Sequence, residues 1–178
     1  MNDRLSRKDW LKHGLRALIA GGPGTLKADV LAKQLGVSRG SFYWHFRNLA
    51  DFHDALLAYW QTTSTQAVIE GLTTDVPQQD RLFVLVQRAL SADMSLERAM
   101  RLWAADAPAV ADVLAVVDRE RINYLGSLLA HHAVSTSDAV ERAKLIYWTY
   151  LGRMDVATKD QMKISNQTLA TFVAAMQD

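Results

Sequence analysis

The chain has no cysteine among its 178 residues, which removes disulfides, thiolate metal sites and cysteine nucleophiles and fits a reducing cytoplasm. Proline occurs only at Pro23, Pro77 and Pro108, leaving long stretches without an obligatory helix breaker. No 18 apolar residues run together, and the charged start MNDRLSRKDW lacks the apolar stretch of a secretory signal. A cytoplasmic protein with no membrane partner is expected. Nucleophile elbows, phosphate-cradling loops and zinc-protease helix motifs are missing, and GGPG at 21–24 has neither the spacing nor the flanking strand such loops need. The histidines form no ligand set: His131 and His132 are adjacent, and His45 and His53 lie eight residues apart across an expected helix break. The chain reads as a non-enzyme without metal or other cofactor.

What is present becomes informative once the charges are placed. The whole chain carries a formal +1, yet residues 1–47 hold nine Lys/Arg against three acids, a net +6, so the remainder carries −5. A cationic head on an acidic body is the electrostatic footprint of a nucleic-acid-binding segment, because cationic side chains displace condensed counterions from phosphates.

Apolar residues recur at three-to-four spacing almost throughout, which predicts an all-α protein. Ser6 precedes a first helix to about Ala20 with a stripe of Leu11, Leu15, Leu18 and Ile19, stopped by Gly21-Gly22-Pro23-Gly24. Short helices follow over about Lys27–Leu35 and Arg39–Phe46, separated by a turn at Gly36 and with Ser38 as N-cap. A long fourth helix spans about Ala50–Leu72. Five more are expected over about 79–92, 96–105, 108–131, 138–158 and 166–177, with Ser95, Ser137 and Ser165 as caps and Pro108 in a first turn.

The segment TLKADVLAKQLGVSRGSFYWHFR, residues 25–47, places two short helices around a glycine turn. Leu31, Ala32, Leu35, Val37, Phe42 and Phe46 can pack inward, leaving Arg39, Ser41, Trp44, His45 and Arg47 outward or marginal. A helix held this way can enter the DNA major groove. Arg39, at its N-terminal end, is the candidate for bidentate guanine contact, and Ser41 and Trp44 can approach base edges or a thymine methyl. Tyr43, His45 and Arg47 suit phosphate contacts, which position without specifying.

GVSRGSFYWHF, with Leu31-Ala32 before it and Phe52 and Leu56-Leu57 after it, resembles the DNA-binding domain of the tetracycline-repressor (TetR) family. RAMRLWAADAPAVADVLAVVDRERINYL and RAKLIYWTYLG are similar to the C-terminal domain of one branch of that family. The resemblance implies a three-helix helix-turn-helix domain over residues 1–48 and a helical effector-binding and dimerisation domain over 49–178. It also implies a homodimer on a double-stranded operator, usually a repressor. DNA contacts are implied at Lys27, Ser38, Arg39, Gly40, Ser41, Tyr43, Trp44, His45 and Arg47. Two departures stand out: Leu49 occupies the place of a lysine common in the family, with Arg47 as substitute, and Lys27 that of a threonine, with Thr25 two residues earlier. A helical protein-interaction module with no sequence-specific DNA binding is the competing reading.

In the body, helix 138–158 carries an apolar face of Val140, Ala143, Tyr147, Tyr150, Leu151 and Met154. Helix 166–177 adds Leu169, Phe172, Val173 and Met176, two faces suited to an isologous dimer. Met100, Trp103, Tyr124, Leu128, Trp148 and Met154 are candidate lining residues for a small apolar effector. The same residues at helical spacing also fit a plain core.

Overall fold

The computed structural model describes residues 5–132, 134–155 and 163–177, and no strand occurs among them. The helices are α1 (Arg7–Gly21), α2 (Ala28–Gln34), α3 (Arg39–His45), α4 (Leu49–Gln61), α5 (Ala67–Asp75), α6 (Arg81–Ser91), α7 (Ser95–Ala105), α8 (Pro108–Ala130), α9 (Thr136–Gly152) and α10 (Asn166–Gln177). None is long and apolar enough to cross a membrane. The chain divides into two compact units: one runs to Ser64 and takes in Ser95–Leu114, and the other comprises Thr65–Met94 and the chain from Ala115. The first unit therefore reaches past residue 48, taking in α4 and α7 as well as the basic head.

In the first unit α1 packs on α4 and α7, and α2 on α3. Ser6 starts α1 with a reciprocal capping box: its hydroxyl accepts from the Asp9 N–H, and the Asp9 carboxylate accepts from the Ser6 N–H at 2.9 Å. The buried side of α1 is Trp10, Leu11, Gly14, Leu15, Ala17 and Leu18, whereas Ile19, expected in the stripe, is 42% exposed. Gly14 is where α4 comes closest. A Cβ there would stand 2.8 Å from Phe52 Cζ and 3.1 Å from Leu56 Cδ1, so only glycine lets the two helices meet. The fully buried Trp10, Phe42 and Phe52 and the nearly buried Phe46 form one aromatic cluster with ring centroids 5.0–5.5 Å apart.

The expected fourth helix is interrupted. After α4 the backbone winds as a π-helix over Thr62–Gln66 before α5 resumes. The run TTST is rich in β-branched residues that crowd an α-helix, and Thr63 bonds back to the Tyr59 carbonyl at 2.8 Å, both of which loosen regular winding.

In the second unit α6 packs on α5, α9 and α10. Its core joins Leu82 and Val86 to Leu125, Leu128, Leu129, Ala139, Ala143, Ile146, Tyr147, Leu169 and Val173. Two arginines satisfy helix-end carbonyls. Arg81 donates to Val76 and Thr73 after α5, and Arg153 to Ala89 and Ala92 after α6. Ser135, rather than Ser137, caps α9, Ser95 lies inside α7, and Ser165 accepts from the Thr168 N–H at the start of α10 as expected. The expected continuation of α9 to residue 158 falls from 156 on outside the described residues.

Candidate nucleic-acid interface

The turn between α2 and α3 is built from backbone bonds and one glycine. The Val37 N–H donates to the Ala32 carbonyl at 3.0 Å and the Gly36 N–H to the Lys33 carbonyl at 3.2 Å. Gly36 takes φ +67°, a left-handed conformation that costs a side-chain-bearing residue about 1–2 kcal/mol. The Thr25 hydroxyl is bonded to the Ala17 and Gly22 carbonyls at 2.9 and 2.7 Å, tying the preceding turn to α1. His13 Nε2 and Gln34 Oε1, 2.9 Å apart, link α1 to α2.

On this frame α3 has one buried contact, Phe42, and Phe46 closes the helix from beneath. Everything else on it faces outward or half outward. Trp44 is 70% exposed and Tyr43 44%; Lys27, Ser38, Arg39, Gly40 and Arg47 are exposed, and Ser41 and His45 half-buried. A tryptophan that exposed on a seven-residue helix is unusual for a solitary surface, since large apolar groups in the open mark contact sites. Ser38 has the extended backbone of an N-cap, but its hydroxyl makes no capping bond, contrary to expectation.

Arg39 Nη2 donates to the Tyr43 hydroxyl at 3.0 Å, which holds the guanidinium more firmly in its charged form. At the other end of α3, Asp51 accepts the Arg47 backbone N–H at 2.9 Å, with the Arg47 and Arg7 guanidiniums at 3.7 and 3.8 Å. That backbone bond, ahead of the arginine charges, holds the Asp51 carboxyl below its ordinary pKa. The Asn48 side chain accepts from the Asp51 N–H and caps α4, so the chain leaves α3 through a fixed corner. Arg47 thus presents its cation beside α3 from an anchored backbone, at the expected edge of the interface.

The nine candidate DNA-contact residues lie on α3, on its two flanks and at the N-cap of α2, all within the first unit. The six candidate effector residues are divided between the two units. Met100 and Trp103 are buried in the first unit, where the Trp103 ring meets His53 edge-on at 5.2 Å. Leu128 and the half-buried Tyr124 and Met154 belong to the second, and Trp148 on α9 is 58% exposed and part of no core. Sequence reasoning missed a polar cluster inside the second unit: the buried Tyr147 hydroxyl donates to Asp118 Oδ1 at 2.6 Å. Arg121, which reaches that hydroxyl at 3.4 Å, also donates through Nε to the buried Thr65 at 3.0 Å. An arginine and an aspartate three apart on α8 were the only signal available.

Residues 11–56 match the family model described as bacterial regulatory proteins, tetR family. Among solved structures, NemR of E. coli in its reduced form is similar at a TM-score of 0.73 and 22% identity, over 96% of this chain and 95% of that one. A Rhodococcus sp. chain described as a TetR-family transcriptional regulator gives 0.70 and 19%, over 97% and 98%. AmtR of Mycobacterium smegmatis gives 0.55 and 18%, over 98% and 95%. Comparison with curated proteins finds no match. At these identities the solved structures speak for the fold alone, and the family model speaks for the head. Residues 11–56 thus carry a helix-turn-helix domain of the tetR family of bacterial regulatory proteins, in a chain whose fold is that of solved TetR-family structures.

Proposed function

We propose that the protein is a cytoplasmic repressor that binds a palindromic operator as a homodimer and is released by a small apolar effector. The observation that carries the DNA-binding part is α3 itself: a short helix seated on one buried phenylalanine, with Arg39, Tyr43 and Trp44 exposed in a segment of net positive charge. Arg39 reads a base edge, Ser41 and Trp44 meet bases or a thymine methyl, and Lys27, Ser38, Tyr43, His45 and Arg47 engage the backbone, where Gly40 allows close approach. Residues 1–48 form the reading domain and 49–178 the sensing and pairing domain.

The support for pairing differs from the sequence expectation. Ala143, Tyr147, Leu169 and Val173 are buried within the second unit, and Tyr150, Leu151, Phe172 and Met176 pack against that core. What remains outside is Leu145 and Trp148, 51% and 58% exposed one turn apart on α9, with Val140 and the small exposed Ala170 and Ala174 of α10. These residues form the proposed isologous contact, which would set two recognition helices about 34–36 Å apart or a multiple of that. For the effector, the supporting observation is the Tyr124 hydroxyl, buried with no hydrogen-bond partner among the described residues. It offers a largely apolar molecule one polar anchor near Leu128.

A gel shift with the DNA upstream of its own gene tests the reading. Retarded DNA that survives an excess of random competitor is expected. No shift at low salt would favour the interaction-module alternative.

A further inference from the structure

Arg39 and Tyr43 are one unit rather than two side chains. Besides the 3.0 Å hydrogen bond, the guanidinium carbon lies 5.4 Å from the Tyr43 ring centroid, so the cation is held by both the oxygen and the ring face. The Tyr43 ring leans edge-on against Phe42, with centroids 5.3 Å apart and planes at 83°. Phe42 is fully buried against Trp10, Phe46 and Phe52. A continuous row thus runs from the buried aromatic cluster to the first residue of α3, the end from which a recognition helix addresses base edges.

We propose that Tyr43 is a positioning residue for sequence reading: it fixes the direction of the Arg39 guanidinium, and so determines specificity as well as backbone affinity. This rests on the reading of α3 as the recognition helix. The donor inventory allows it. Arg39 spends one of its five N–H groups on Tyr43 and keeps enough for a bidentate bond to guanine O6 and N7. The Tyr43 oxygen accepts from Arg39 and still has its own proton to donate to a phosphate, so the two roles do not compete. An unsupported arginine would have to order a long, flexible side chain on binding; a tethered one has lost part of that freedom beforehand.

The test uses the full-length protein and two duplexes of equal length: the tightest binder selected from a randomised pool, and a random sequence. Affinities for both are measured with wild type, Tyr43→Phe, Arg39→Ala and the double variant. Tyr43→Phe keeps the ring and deletes the oxygen. The ratio of selected to random affinity should fall about three- to tenfold, with no change in melting temperature. In the Arg39→Ala background the same change should leave the ratio where it was, because the pair acts as one. Equal loss on both duplexes, additive with Arg39→Ala, would overturn the proposal and leave Tyr43 a phosphate contact alone. A wild-type ratio of one would remove the recognition-helix reading and this proposal with it.

Discussion

Removing a single oxygen, by Tyr147→Phe, tests how much the polar cluster in the second unit contributes. The ring stays, so no cavity opens and the 3–5 kcal/mol typical of deleting a large aromatic does not apply. What is lost is the 2.6 Å bond to Asp118, together with the acceptor for Arg121 at 3.4 Å. A hydrogen bond to an ionised group contributes about 1.5–3 kcal/mol. Asp118 is only half-buried, so water can replace part of the interaction and the lower half of that range applies, about 1.5–2 kcal/mol. For a chain of this size that is a fall of about 3–8 °C in melting temperature. Urea unfolding followed by circular dichroism measures it directly. Burial, acting first, and the bond to Asp118 raise the Tyr147 pKa above its ordinary 10.0. The folded state therefore holds this proton more tightly than the unfolded chain. The contribution is complete below about pH 10 and is lost as pH climbs above it, so the alkaline decline in stability should be shallower in Tyr147→Phe. A Tyr147→Phe protein within 0.5 kcal/mol of wild type would refute the reasoning.

Three other substitutions probe the remaining parts. Gly14→Ala gains up to about 1 kcal/mol of helix propensity but forces a methyl against the fully buried Phe52, whose aromatic neighbours leave it nowhere to move; a net loss of about 1–2 kcal/mol is expected by thermal melting. Asp51 and Asp9 have lowered pKa values, Asp51 chiefly from the Arg47 N–H and Asp9 from the Ser6 hydroxyl. Their contribution is present above about pH 4 and lost as pH falls below it. Asp51→Asn should therefore flatten the decline in melting temperature between about pH 5 and 3. Trp148→Glu should convert a dimer to monomers in light scattering at micromolar concentration, and a wild-type monomer there would remove the proposed pairing face.

Much of this was legible because helices announce themselves by period, cap and glycine. The helix-turn-helix was readable down to its buried Leu31, Ala32, Phe42 and Phe46, since Leu31-Ala32 fall on the inward side of one short helix and Phe42 and Phe46, four residues apart, on that of the next. Ile19 misled because Gly14, which sequence reasoning treats as a weak point, is the centre of the buried face and rotates the stripe toward Trp10 and Ala17. The tie from Thr65 in the π-helical turn to Arg121 left no local trace, for the partners are 56 residues apart and a Thr-Ser run reads as surface. The apolar faces of α9 and α10 were visible, but whether a second copy or their own unit covers them depends on packing that periodicity does not encode.

The salt dependence of DNA affinity tests the central claim most directly. Binding to the selected duplex is followed by fluorescence anisotropy between about 50 and 300 mM salt. With Lys27 and Arg47 on phosphates in each of two protomers, log affinity should fall against log salt with a slope of about −4, and Lys27→Ala should reduce its magnitude by about 2 per dimer. A slope near zero, or one untouched by Lys27→Ala and Arg47→Ala, would contradict the assignment of this face to DNA.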